Sequence, residues 1–140
     1  MSLRPAIVDR RKAIRALIAI GFALTGAFHL FLVFLGESIA RYIVDGEHSP
    51  ERHLLFAGIN LVMAVLVALS PSLARFAVWP LLVQQTWSHG GDFLRSLQTE
   101  RVDLLSLLVV VFMWSSTWFL WAFWPTVEEH LKTQKRRSPT

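Results

Sequence analysis

Three of the five histidines lie in or beside long apolar stretches, where polar side chains are scarce. They are His29, His53 and His89. A neutral imidazole ligates zinc, copper or haem iron, and it also transfers protons near neutral pH. These residues are therefore the candidate catalytic histidines and the candidate metal ligands, although no H-E-x-x-H or c-type haem motif surrounds them. The alternative is a structural role, with each ring hydrogen-bonded to a neighbouring backbone.

Further polar residues accompany the histidines at helical spacing. Asn60 shares a predicted helix face with His53, and Gln85, His89 and Asp92 follow an i, i+4, i+7 pattern. An amide can hold a ligand, and a carboxylate can orient a histidine ring by accepting its N–H. Asn60 and Asp92 therefore join the candidate catalytic residues, and Gln85 is a candidate ligand-binding residue.

Tryptophans form the second candidate feature. Trp114, Trp118 and Trp121 recur on one face of the last apolar stretch. Such residues usually form an aromatic belt at the membrane surface, but Trp114 lies near the middle of its stretch, where a belt residue is not expected. Trp114 and Trp118 are therefore candidate ligand-binding residues, with a stacking wall for a flat apolar molecule as the functional interpretation.

Four charge-free stretches must position these side chains. Residues 16–36, 54–74, 76–91 and 104–127 contain no Asp, Glu, Lys or Arg. A helix of roughly 20 residues crosses a hydrocarbon layer about 30 Å thick, and backbone polar groups in lipid must be paired within the helix. The pattern predicts an all-α integral membrane protein, a four-helix up-down-up-down bundle in a single domain of residues 1–140. The predicted spans are approximately residues 14–35, 50–69, 71–89 and 104–124, and the third is the shortest.

Basic residues indicate the orientation of these spans. Ten of the 14 Lys and Arg residues lie on the two termini and the middle loop, and four lie on the other two loops. Since basic residues accumulate on the cytoplasmic side, both termini are predicted to be cytoplasmic. His29, His53 and His89 then fall at a similar depth, near the outer surface. The basic residues flank membrane spans, so nucleic acid is not an expected partner.

Local chemistry sets the predicted helix ends. Ser49 and Ser70 each precede a proline, which places a capping hydroxyl before a proline at the first helical position. Asp103 is the predicted cap of the last helix. Gly90 and Gly91 predict the end of the third helix, because glycine readily adopts the left-handed conformation of a helix C-terminus.

The first two spans carry a family resemblance. The first contains Arg15, then Gly21-Phe22 and Gly26, and the second contains Phe56-Ala-Gly58-Ile-Asn60. This arrangement resembles the opening of small four-helix bacterial membrane proteins of the DoxX-like type. The resemblance implies a multi-pass inner-membrane protein, sometimes associated with redox or quinone-linked systems, and it transfers no catalytic residue. Gly21, Thr25 and His29, with Phe22 and Gly26 beside them, also place small residues four apart, which favours close packing of two helices.

Two functional classes follow from these features. The first is an accessory or interaction subunit of a larger, redox-linked membrane system, with the bilayer and other membrane subunits as partners. The second is a membrane enzyme or binding protein for a lipophilic molecule, such as a quinone, an isoprenoid or a sterol-like lipid, at an outer-leaflet histidine pocket. No cysteine is present, which excludes thiolate catalysis and cysteine-ligated metals. The residues leave metal and haem binding as open alternatives.

Overall fold

A computed structural model describes residues 4–35, 49–99 and 102–123. Within these ranges the chain forms four α-helices, in agreement with the predicted all-α class: α1 (Arg4–Leu35), α2 (Pro50–Leu69), α3 (Pro71–Ser96) and α4 (Leu104–Phe123). The predicted cytoplasmic C-terminal segment, residues 125–140, lies outside the described residues.

The chain divides into two compact units, Met1–Leu69 and Ser70–Thr140. Helices α1 and α2 pack together in the first unit, and α3 and α4 pack together in the second. Each unit is an antiparallel helical hairpin, because residues late in one helix contact residues early in the next. The two units are called the first hairpin and the second hairpin below.

Gly26 brings the two helices of the first hairpin close together. A Cβ atom at this position would lie 2.9 Å from Leu61 Cγ and 3.2 Å from the carbonyl oxygen of Ala57. Ordinary carbon contacts are about 3.5–4.0 Å, so only glycine leaves room for α2 at this distance. The close packing predicted from the spacing of the small residues is therefore present at Gly26.

Two of the three predicted helix caps are present. The Ser49 hydroxyl accepts the N–H of Arg52 at 3.4 Å, and the carboxylate of Asp103 accepts the N–H of Ser106 at 2.9 Å. The prediction for Ser70 is wrong in its mechanism. Helix α3 begins after Ser70 as expected, but the hydroxyl makes no capping hydrogen bond. The serine carbonyl instead accepts two N–H groups of the first turn at 3.0 Å.

The predicted end of α3 near residue 89 is wrong. Gly90 and Gly91 stay in the right-handed helix, which continues to Ser96. A glycine permits a left-handed stop but does not impose one. Beyond the two glycines, Asp92 and Arg95 form an ion pair one turn apart, and Arg95 lies in the last turn, where a cation is favourable. These local interactions extend the helix.

Three of the described helical segments are long and apolar enough to cross a membrane: Arg10–Leu35, Pro50–Leu69 and Leu104–Phe123. Helix α3, which corresponds to the predicted third span, does not belong to this group. Arg75, two adjacent glutamines and His89 lower its mean hydropathy. The composition of the described helices therefore supports three membrane-crossing segments.

Candidate functional site

His29 and His53 contact each other across the first hairpin. The two Nδ1 atoms are 3.0 Å apart, and the ring centroids are separated by 5.3 Å with an interplanar angle of 34°. His29 is buried, and His53 is half-buried. The antiparallel register of α1 and α2 produces this contact, because it places the C-terminal part of α1 beside the first turn of α2. These two side chains are called the histidine pair below.

The contact between two Nδ1 atoms restricts the protonation of the histidine pair. A neutral imidazole carries one N–H, and its other nitrogen accepts a hydrogen bond. An N–H···N bond between the two Nδ1 atoms therefore requires the N–H at Nδ1 of one ring and at Nε2 of the other. The two histidines must have opposite tautomers when both are neutral.

Aromatic rings surround the histidine pair. The Phe56 ring lies 5.5 Å from the His29 ring, and the Phe28 ring lies 6.4 Å from it. The guanidinium of Arg52 lies over Phe56, at 5.6 Å from the ring centroid. Low polarity strengthens hydrogen bonds and increases the penalty for an isolated charge. The two phenylalanine rings therefore strengthen a hydrogen bond between the two imidazoles.

Asn60 does not extend the histidine pair. Its side-chain amide donates to the carbonyl of Phe56 on the same helix at 2.8 Å, and the residue is buried. Thr25 behaves similarly, because its hydroxyl donates to the carbonyl of Gly21 at 2.9 Å. Both polar groups satisfy their own helices, which is the usual arrangement for short polar side chains in apolar helices.

His89 belongs to the second hairpin, and its described partner is a serine. His89 Nδ1 lies 3.1 Å from the Ser106 hydroxyl, and Ser106 is buried. The structure thus brings His29 and His53 of the predicted cluster into contact, and the described contact of His89 is with a serine of its own hairpin; the cluster of three histidines stays a prediction. Ser106 was missed by sequence reasoning, because a serine in an apolar run has no distinctive spacing and gains its partner from the register of α3 and α4.

Asp92 does not orient His89. Its carboxylate accepts a hydrogen bond from Arg95, and the two exposed side chains form an ion pair. The i, i+3 spacing that suggested a contact with His89 equally allows one with Arg95, and the opposite charges favour the arginine. The predicted catalytic role of Asp92 therefore has no support in the described contacts.

Two adjacent glutamines of α3, Gln84 and Gln85, are in different surroundings. Gln85 is buried on the face of α3 that also carries Val78 and Leu82. The side-chain oxygen of Gln84 is buried and has no hydrogen-bond partner among the described residues. A ligand-binding role for Gln85 stays a prediction, since no described contact distinguishes it from a packed core residue.

The two predicted ligand-binding tryptophans point largely outward. Trp114 is 53% exposed, and its indole N–H donates to the Thr86 hydroxyl at 3.1 Å. Trp118 is 63% exposed and contacts Phe119 and Phe123 on its own helix. Their rings therefore do not face each other across a described pocket, and Trp114 has its polar edge satisfied within the second hairpin.

Arg75 is a buried charge that sequence reasoning assigned only to the cytoplasmic flank. It is 5% exposed, and its guanidinium lies 4.4 Å from the ring centroid of Trp121 and 4.8 Å from that of Phe76. The indole N–H of Trp121 also donates to the Arg75 carbonyl at 3.0 Å. Cation–π contacts of this kind stabilise a desolvated guanidinium, so these residues connect the start of α3 to the end of α4.

Within the described ranges, no three His, Asp or Glu side chains come together as a group that could hold a metal ion. Two nitrogen ligands from the histidine pair are fewer than the three or four protein ligands of most zinc sites. Metal binding by His29, His53 and His89 thus stays a hypothesis from the sequence.

No model of a known protein family, no curated protein and no solved structure matches this chain. The DoxX-like resemblance therefore stays a prediction. Functional conclusions depend on the geometry of the two hairpins alone.

Proposed function

We propose that this chain is a multi-pass membrane protein with four spans and cytoplasmic termini, acting as an accessory or interaction subunit of a larger membrane system. A bacterial inner membrane with redox-linked components is the setting that the family resemblance implies. The observation that supports the interaction role best is the exposed Trp114 in the middle of α4. A tryptophan exposed at mid-membrane depth is better accommodated by a protein neighbour than by lipid chains.

The register of the second hairpin supports a fourth span. Hydrogen bonds join α3 and α4 at three levels: Trp121 with Arg75, Trp114 with Thr86, and Ser106 with His89. At 1.5 Å per residue, the contacts on α3 extend over about 21 Å of helix. If α4 crosses the bilayer, α3 lies beside it over most of the hydrocarbon layer. Its polar side chains are then directed at α4, and its low mean hydropathy does not prevent it from spanning.

Charge placement also supports an even number of spans. With three spans, the basic C-terminal segment would lie on the opposite side from the basic N-terminal residues. Four spans place ten of the 14 basic residues on the cytoplasmic side. That distribution is the one that membrane insertion favours.

Side-chain bonding supports an interaction role over catalysis in the second hairpin. The polar edges of Trp114, Trp121 and His89 are hydrogen-bonded between its two helices. Several large apolar and aromatic side chains are exposed, including Trp87 and Trp118. A hairpin with these three polar edges hydrogen-bonded internally and aromatic rings exposed suits contact with other membrane helices.

Single-cysteine labelling tests the topology. Since the sequence contains no cysteine, the introduced residue is the one thiol that can react. Ser70→Cys lies between α2 and α3, and Thr99→Cys lies between α3 and α4. We expect a membrane-impermeant thiol reagent to label Thr99→Cys in intact cells and Ser70→Cys only after permeabilisation. Labelling of both positions from the same side would contradict the span assigned to α3.

Photocrosslinking tests the interaction role. A photoreactive amino acid at Trp118, which is exposed, should give a discrete protein–protein adduct in native membranes. The matched control at Leu120 is fully buried and should give none. If position 118 gives only lipid adducts and the protein is recovered from mild detergent as a solitary monomer, the proposal fails.

A second candidate function is binding or conversion of a lipophilic molecule at the histidine pair. The specific observation in its favour is the 3.0 Å contact between two imidazoles from different apolar helices. Titration of a short-chain quinone into the protein in lipid nanodiscs provides the test. His29→Ala and His53→Ala should each weaken binding at least tenfold, and the matched control His89→Ala should not. Equal binding by all four proteins would exclude this function.

A further inference from the structure

We propose that the histidine pair is a proton relay between α1 and α2. Its two Nδ1 atoms are 3.0 Å apart, within the range of a hydrogen bond. Donor and acceptor are chemically the same group. When the pair carries one extra proton, the two arrangements with the imidazolium at His29 or at His53 therefore differ in free energy only through their surroundings. Matched donor and acceptor groups transfer a proton with little thermodynamic penalty.

The transfer requires only a proton donor and a proton acceptor. A proton arrives at Nε2 of the ring whose Nδ1 carries the shared proton, and that ring becomes an imidazolium. The shared proton then moves to Nδ1 of the second ring, which releases its own Nε2 proton. One proton enters and one leaves, and the two rings have exchanged tautomers. Water or the hydroxyl group of a lipophilic alcohol or quinol can supply and accept the proton.

The other polar contact of this kind in the described ranges behaves differently. His89 faces a serine hydroxyl, which is a far weaker acid than an imidazolium. Transfer of a proton from that hydroxyl is unfavourable, so the His89–Ser106 contact serves as a connection between helices. It provides the natural control for the histidine pair.

The charged residues nearest the relay on the described parts of α1 and α2 can be named. On α1, His29 is the sole titratable residue between Arg15 and Leu35. On α2, the nearest charged residues in sequence are Arg52, whose guanidinium lies over Phe56, and Glu51, which accepts a hydrogen bond from Ser49. An imidazolium formed during transfer is stabilised by its charge-assisted bond to the second ring.

Nuclear magnetic resonance of the full chain with ¹⁵N-labelled histidine, in ligand-free lipid nanodiscs, tests this inference. We expect a through-hydrogen-bond coupling between the two Nδ1 nitrogens and exchange between the two tautomers of each ring. His53→Ala should remove both signals from His29, whereas His89→Ala should leave them unchanged. Absence of the coupling, or rings locked in one tautomer each, would overturn the proposal.

This test is independent of the functions proposed above. Coupling and tautomer exchange are measured on the unmodified protein, so the result stands even if His53→Ala does not fold. A failure to bind a quinone would remove the second candidate function and leave the relay intact. Locked tautomers with retained quinone binding would overturn the relay and leave the second candidate function standing.

Discussion

Replacing Gly26 with alanine should weaken the first hairpin. The added Cβ would lie 2.9 Å from Leu61 Cγ, 3.1 Å from Leu61 Cδ2 and 3.2 Å from the Ala57 carbonyl oxygen. The leucine side chain can rotate away, but the carbonyl belongs to the backbone of α2. The helices must therefore separate by a few tenths of an ångström, and overpacking of this kind costs about 1–3 kcal/mol.

Gly58→Ala provides the matched control. No atom lies within 4 Å of a Cβ placed at Gly58, so the substitution adds no steric contact. Both glycines are helical, and alanine favours a helix over glycine by about 1 kcal/mol at either position. The difference between the two variants cancels this propensity and isolates the contact with α2. We expect Gly26→Ala to be less stable than Gly58→Ala by about 1–3 kcal/mol.

Reversible unfolding in mixed micelles of increasing SDS fraction, followed by helical circular dichroism, measures this difference. The same samples report on the histidine pair, because His29 lies one turn beyond Gly26. Separation of α1 from α2 should also weaken the coupling between the two Nδ1 nitrogens. If Gly26→Ala proves as stable as Gly58→Ala, α1 and α2 do not approach closely at this position, and the inferred register is wrong.

Four further substitutions test individual contacts by the same unfolding assay. Ser49→Ala should lower the free energy of unfolding by about 0.5–1 kcal/mol through loss of a helix cap, whereas Ser70→Ala should leave it nearly unchanged. Equal effects of the two substitutions would contradict the difference in capping. Gly90→Ala should raise the free energy of unfolding by about 0.5–1 kcal/mol because the glycine is helical, and a loss would indicate a left-handed stop. Trp121→Phe should lower the free energy of unfolding by about 1–2 kcal/mol, because it removes the hydrogen bond to the Arg75 carbonyl and weakens the cation–π contact. An unchanged stability would place Trp121 outside the packing of the second hairpin.

The candidate site was only partly predictable from residue types. Depth counting placed His29, His53 and His89 in one layer, and the structure brings the first two into contact. Depth counting could not indicate that His89 contacts Ser106. Hydrogen-bond partners across helices depend on the rotation and register of each helix, and a one-residue change rotates a side chain by about 100°.

Asp92 illustrates the same limit at shorter range. Its spacing placed it on the same predicted helix face as His89, and its described contact is an ion pair with Arg95. Both partners lie three residues away on the same helix, so spacing alone cannot choose between them. Charge complementarity decides the choice, and it could have been applied only if α3 had been known to continue past Gly91.

Local chemistry therefore determined much of this protein from the sequence alone. Charge-free stretches predicted apolar helices, and Ser49 and Asp103 predicted the starts of α2 and α4, because capping involves only neighbouring residues. Tertiary packing decided which polar side chains meet. The close approach at Gly26 sets the register of α1 against α2, and that register places two imidazoles at hydrogen-bonding distance. Close packing between distant segments acts on whole helices, so residue types and spacing cannot specify it in advance.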